Sequence, residues 1–376
     1  MIRAPLHTLR IHTASSGGRR YWTPSALEAF LPHFAPTLET FELRNLFITM
    51  SDARGLDGSP PGRFVLPLTQ YPAVRSLYIR DLDGVPLLDV LMHLFPAIDG
   101  TLRIGEWGSI TGLSDHAHIR ECNREAQQRR AWTKLDRLIC DAELFHLLGL
   151  RCPIGHLMID NWTDDVKDDL ALALRECPVA RLKLSLLLSP GLGVFDALRS
   201  AGLEGTSTYL TLCLVDIRFN EEIQVQDADG MTPTGLPWDD ILDGVRFSVA
   251  PLQKLVHLRI VVHSSIFNHV PEEAARFMFA HTSRHCTAVS FKRVSASLAG
   301  RLQSLQSLFV TMSVWFGNVS MSKTGGSFPA PGVSQSAGKL TLVRLTDEAR
   351  TAIIQKEELF LSRSPDEIEL QPVTRD

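Results

Sequence analysis

Eight arginine and lysine side chains fall at alternate positions of short apolar frames, and that spacing is the strongest chemical signal in the chain. Arg10, Arg44, Arg80, Arg103, Arg181, Lys183, Arg259 and Lys292 sit beside or between leucine-class residues, with Tyr78, His156 and His257 at equivalent places, and only Glu42 and Asp160 oppose them. Alternate residues of a strand share one face. Such a row offers guanidinium and ammonium groups for charge-assisted hydrogen bonds to carboxylate or phosphate oxygens. The sequence therefore predicts a face that takes an acidic or phosphorylated protein segment. Its binding residues would be Arg80, Arg103, Arg181, Lys183 and Arg259, with Tyr78 as an aromatic anchor. Exposed strand positions also collect long charged side chains for solubility alone.

Other spacings carry less. His281 and His285 stand four apart, as two metal ligands on a helix would, but no third ligand follows at a suitable distance and the adjacent Cys286 occupies an apolar frame position. His116 and His118 lie in a polar stretch. Asp227, Asp229 and Gly230 begin like a calcium loop, yet no glutamate closes it, and a turn is the better reading. Gly-x-Ser-x-Gly, a phosphate-binding glycine loop and a dinucleotide fingerprint are all missing. The expectation is a binding protein that is not an enzyme and needs neither cofactor nor metal.

The elements that must hold the cationic positions are short strands introduced by proline. The clearest runs Cys177-Pro178-Val179-Ala180-Arg181-Leu182-Lys183-Leu184-Ser185-Leu186-Leu187. Proline halts the preceding helix, and Leu-x-x-Leu-x-Leu then alternates buried and exposed side chains. Related frames follow Pro36, Pro72 and Pro153. Anchors at Phe41, Leu77 and Leu102, at Leu157, Leu182 and Leu210, and at Leu258 and Val289 recur at roughly 25 to 36 residues, the period of stacked strand-helix units.

Between the frames lie amphipathic helices: one capped by Thr23 with Pro24 at its first position, one over Leu87 to Phe95, one carrying Leu170 and Leu174, one over Phe195 to Leu203, and one opened by Pro271. Leu38 to Leu46 and Cys286 to Val294 read as single strands. Leu135 to Ile139 reads either as a degenerate strand or as the end of a preceding helix. The predicted fold is an α/β solenoid with parallel inner strands and outer helices over residues 1–346. It is interrupted by a polar helical insertion at 114–134, an irregular excursion at 219–243 and a mobile loop at 318–338, with a charged helix and tail over 347–376. Because the frames begin at Leu6, an N-terminal cap for the array is expected to be missing.

Helix, x-Pro, then Leu-x-x-Leu-x-Leu resembles the irregular leucine-rich repeats of fungal F-box-type proteins, over about residues 5–345. In that family the repeats hold a substrate, while an F-box docks an adaptor of a cullin ubiquitin ligase. The resemblance implies substrate recognition for ubiquitin ligation. It implies an adaptor partner only if an F-box lies upstream, since no Leu-Pro-x-Glu-like segment precedes Leu6. A stand-alone interaction scaffold, and an enzyme with unrecognised chemistry on the insertions, are the alternatives.

The formal charge of −4 and a pI of 6.4 point away from nucleic acid and anionic membranes. No apolar run of about 18 residues suits a membrane span, and the N-terminus lacks a signal-peptide core. The cysteines at 122, 140, 152, 177, 213 and 286 show no close pairing and read as reduced thiols, so a cytoplasmic or nuclear location is expected.

Overall fold

The structure is a computed structural model that describes residues 5–11, 21–48, 69–108, 116–162, 167–177, 179–188, 191–200, 207–218, 238–266, 298, 302, 304–305, 307–316, 319–325 and 339–344. The predicted strand at 286–294, the helix at Pro271, His281, His285, Cys286, Lys292, the aspartate turn at 227–230 and the tail over 347–376 lie outside the described residues.

Strands and helices alternate along most of the chain. β1 (Thr8–Ile11), α1 (Pro24–Phe30), β2 (Thr40–Leu43) and β3 (Leu46–Ile48) lead into β4 (Ser76–Gly84), α2 (Leu88–Leu94), β5 (Thr101–Gly108) and α3 (His116–Arg129). β6 (Leu135–Asp141), α4 (Ala142–Leu148), β7 (Ile154–Trp162), α5 (Lys167–Glu176) and β8 (Arg181–Leu187) follow. Then come α6 (Gly193–Ser200), β9 (Tyr209–Arg218), α7 (Trp238–Val249), β10 (His257–Ile266), β11 (Ser307–Phe316), β12 (Val319–Gly325) and β13 (Lys339–Arg344).

Apart from β3, which pairs with β4 beyond the end of β2, the strands lie in one sheet in the order of the chain. Pairing is parallel from β1 through β11. A parallel neighbour requires a crossover, and right-handed crossovers repeated in one direction carry their helices to one face. α2 to α7 accordingly stack side by side, each against the next.

Register explains the core. Phe41, Leu77, Leu102, Leu138, Leu157, Leu182, Leu210 and Leu258 stand side by side across eight strands, and all are buried. Each such side chain taken from water stabilises by about 1.5–3 kcal/mol. Stacking the units is what removes it from water. Cys140, Cys152 and Cys177 fill the same core as small apolar groups, and burial pushes their thiols up, to about 11 at Cys152 and about 12 at Cys177.

Local chemistry sets the ends of the elements. Thr23 Oγ1 accepts from the Ala26 N–H, and Asp141 Oδ1 from the Leu144 N–H, capping α1 and α4. Gly149, at φ 53°, closes α4 in the left-handed conformation that glycine adopts freely. Asn45, at φ 58°, breaks the expected strand 38–46 into β2 and β3.

Several boundaries differ from the sequence expectation. The polar insertion at 114–134 contains α3, the crossover helix between β5 and β6, whose buried face sets Arg120, Asn123 and Gln127 beside Ile119 and Ala126. Asn123 Oδ1 accepts from the Leu88 N–H at 2.8 Å, supplying the cap that α2 lacks on its own, while its amide nitrogen donates to the Pro86 and Leu147 carbonyls at 2.9 Å. Gln127 donates to the Gly149 carbonyl and accepts from the Arg151 N–H; Arg120 reaches the His146 carbonyl and Glu176. Charge and amide density there is the mark of backbone satisfaction between helices.

Leu135 to Ile139 belongs to a strand, and the excursion at 219–243 ends inside α7. β10 pairs directly with β11. The loop expected at 318–338 begins with β12, which returns antiparallel on β11, and β13 returns antiparallel on β12. Only Gly317 and Asn318 separate β11 from β12, too few residues for a parallel crossover and enough for a hairpin.

Candidate functional site

The face of the sheet opposite the helices carries the cationic positions, and register gathers them into two rows. In one row Arg10, Glu42, Tyr78, Arg103, Ile139, Met158, Lys183, Thr211 and Arg259 are consecutive neighbours. In the adjacent row Arg137, His156, Arg181, Tyr209 and His257 are neighbours from β6 to β10. Four of the expected binding residues, Tyr78, Arg103, Lys183 and Arg259, therefore share a row. Arg181 lies in the other, and Arg80 sits one pleat beyond Tyr78 on β4.

Charge is distributed unevenly along this face. At its N-terminal end the Glu42 carboxylate accepts from Arg10 Nε at 3.1 Å and from Arg80 Nε at 2.8 Å. Arg44 pairs with Asp81 at 3.0 Å, and Arg75 forks onto Asp99, holding that carboxyl below its usual range. Arg80, one of the expected binding residues, thus already has a protein carboxylate as its partner. In the middle of the sheet none of Arg137, Arg181 and Lys183 has a carboxylate within ion-pair distance among the described residues. The carboxylate on this face of β7 is Asp160, which accepts from Ser185 Oγ at 3.3 Å two pleats away from His156.

The central cations come with aromatic and imidazole neighbours. The Arg181 guanidinium lies over the Tyr209 ring, 5.1 Å from its centroid, and Tyr209 stacks on His257 with centroids 4.4 Å apart and planes 13° from parallel. The stack spans β8, β9 and β10. Beside it Ile139 and Met158 are buried without belonging to the core on the helix side, and form an apolar floor.

His156 is 8% exposed, and its Nδ1 is buried without a hydrogen-bond partner. Burial, and then the positive charges of Arg137, Arg181 and Lys183, push its pKa down to about 4, so the ring is neutral. Asp141, at the C-terminal end of β6, is pushed up to about 6 by burial, against the lowering effect of its bond from Leu144, with Glu143 and Asp160 adding to the rise.

Sequence reasoning passed over Arg137 and Tyr209. Both stand immediately before an anchor leucine, as Arg181 stands before Leu182 and His257 before Leu258. That position was the available signal. His116 and His118 lie on α3, with His118 Nε2 3.6 Å from Cys122 Sγ and His116 3.5 Å from Glu143. Among the described residues no group of three metal-ligating side chains converges, and no described helix is long and apolar enough to cross a membrane.

Comparison of the chain with protein-family models, with curated proteins and with solved structures finds no match.

Proposed function

We propose that the chain is a leucine-rich-repeat-type solenoid whose open sheet face captures an acidic segment of another protein. The solenoid reading is supported by strands that pair in chain order, by helices stacked in one layer, and by leucine anchors in register across the units. The observation that carries the function is the run of Arg137, Arg181 and Lys183 without protein carboxylates, bordered by the Tyr209–His257 stack and the Ile139–Met158 floor. A carboxylate or phosphate brought to these groups replaces water with charge-assisted hydrogen bonds, and the rings supply rigid contact area.

The test is binding of a fluorescein-labelled glutamate-rich peptide to the full chain. Saturable binding that weakens with salt is expected, and the double substitution Arg181→Glu with Lys183→Glu should abolish it. Undiminished binding by that variant would sink the proposal.

Substrate recognition for a cullin ubiquitin ligase of F-box type, in the cytoplasm or nucleus, is the cellular role implied by the repeat resemblance. Stable co-elution of the chain with a purified cullin adaptor is its direct check. Failure to co-elute leaves the peptide-binding reading in place as that of an independent scaffold.

A further inference from the structure

We propose that Arg137, His156 and Arg181 form a subsite for a phosphoryl group borne on a side chain of the captured protein segment. The inference rests on the reading of this face as a protein-recognition surface and names the chemistry of its ligand.

The three residues occupy one register row on β6, β7 and β8. Neighbouring strands lie about 4.8 Å apart, so the outer two anchors are within about 10 Å of each other, and the Arg181 guanidinium, which rests over Tyr209, has the reach to turn toward the ring between them. His156 is more than nine-tenths buried, yet Nδ1 has no partner. Buried polar groups are satisfied as a rule, and an unpartnered one leaves a hydrogen bond for an incoming group to make. In the neutral tautomer that carries its proton on Nδ1, the unpartnered nitrogen is a donor and can give its hydrogen bond to an anion. Two guanidinium groups and an imidazole then offer donors from three neighbouring strands.

A phosphate monoester has three terminal oxygens and nearly two negative charges, one oxygen for each donor. A glutamate carboxylate carries one charge and its two oxygens lie in one plane, so it matches donors arriving from three strands less well in charge and in geometry. Lys183 adds positive charge one pleat along, Asp160 on the same strand is turned to Ser185, and the Tyr209–His257 stack borders the subsite on the side of β9.

The experiment compares three degenerate peptide libraries, alike except for a central phosphoserine, glutamate or serine, on the full-length chain. In parallel, imidazole resonances of the histidine-labelled protein are followed during titration with inorganic phosphate. The phosphoserine library should bind at least about tenfold more tightly than the glutamate library. Phosphate should shift the His156 resonance saturably and raise its titration midpoint, because a bound dianion offsets the field of Arg137, Arg181 and Lys183. His156→Gln should remove the preference. Arg181→Gln, at a half-exposed position where misfolding is not expected, should remove it as well, and Arg75→Gln should preserve it. Equal binding of the phosphoserine and glutamate libraries would overturn the subsite while leaving the acidic-segment reading intact. Failure of both libraries would overturn the two together. Displacement of phosphoserine peptides by single-stranded RNA at lower concentration would replace a protein ligand with a nucleic acid and overturn the proposal.

Discussion

The two ends of the open sheet face carry arginine at similar density and differ in what lies beside it. Toward the N-terminus, Glu42 on β2 stands in register between Arg10 on β1 and Tyr78 on β4, and two guanidinium groups spend their charge on it. Asp81 and Asp99 take Arg44 and Arg75 in the same way. From β6 to β9 the corresponding neighbours are imidazole, phenol, thioether and aliphatic groups, and among the described residues Arg137, Arg181 and Lys183 have no carboxylate within ion-pair distance. A cation's availability is set across strands by residues far away in sequence, and composition along one strand does not report it.

Four measurements would break or sharpen that contrast. The largest effect is expected from Arg181→Glu with Lys183→Glu, which should weaken binding of the glutamate-rich peptide about a hundredfold, since attraction becomes repulsion at two neighbouring points. Fluorescence anisotropy reads this directly, and a loss below about threefold would mean that the middle of the face is no more available than its end.

Second is the pH dependence of stability in His156→Gln. The wild-type ring holds a pKa of about 4 when folded against 6.5 when unfolded, so the unfolded chain binds the extra proton and stability falls as pH drops from 6.5 toward 4. The wild type should lose about 2 kcal/mol relative to the variant by pH 5. Asp141 acts in the opposite sense: its folded pKa of about 6 lies above 3.8, so its contribution grows as pH falls through that window, equally in both proteins. Urea unfolding at several pH values isolates the difference, and parallel curves would show that His156 is not held neutral by burial and the central cations.

Third, Glu42→Gln should release Arg10 and Arg80 and raise affinity for the acidic peptide about twofold to threefold, more at low salt. No change would mean that the N-terminal arginines are unavailable for some reason other than pairing. The smallest effect is expected from Arg80→Gln. Peptide binding should change less than about twofold and stability by less than about 0.5 kcal/mol, as for an exposed pair. A large loss of binding would restore Arg80 to the ligand-binding set.

Much of this architecture is legible in the sequence because period-two alternation and proline punctuation are local signals. Arg181, Leu182, Lys183 and Leu184 fall where the pattern puts them. α3 reads locally as an insertion because Arg120, Asn123 and Gln127 are buried with Ile119 and Ala126, and hydrophobic periodicity is weak in a helix that faces its neighbours largely with polar groups. The β12 stretch reads as loop on composition, since serine and glycine are frequent there, although Gly317-Asn318 between two strand-like runs is a hairpin signal. The commitment of Arg80 to Glu42 depends on register across 38 residues of chain, which no local pattern encodes. Arg137 was hidden because its strand has the weakest frame of the series.

The pairing of strands in chain order has a consequence for how the molecule is made. A chain leaving the ribosome from its N-terminus presents each parallel strand after the one it must pair with, so every new strand-helix unit finds a finished edge to dock on. Assembly can keep pace with synthesis, and the growing edge of the sheet is the template on which each new unit docks. At β12 that advance changes form, because β12 and β13 each return antiparallel on the strand before them in place of the parallel crossover of the earlier units.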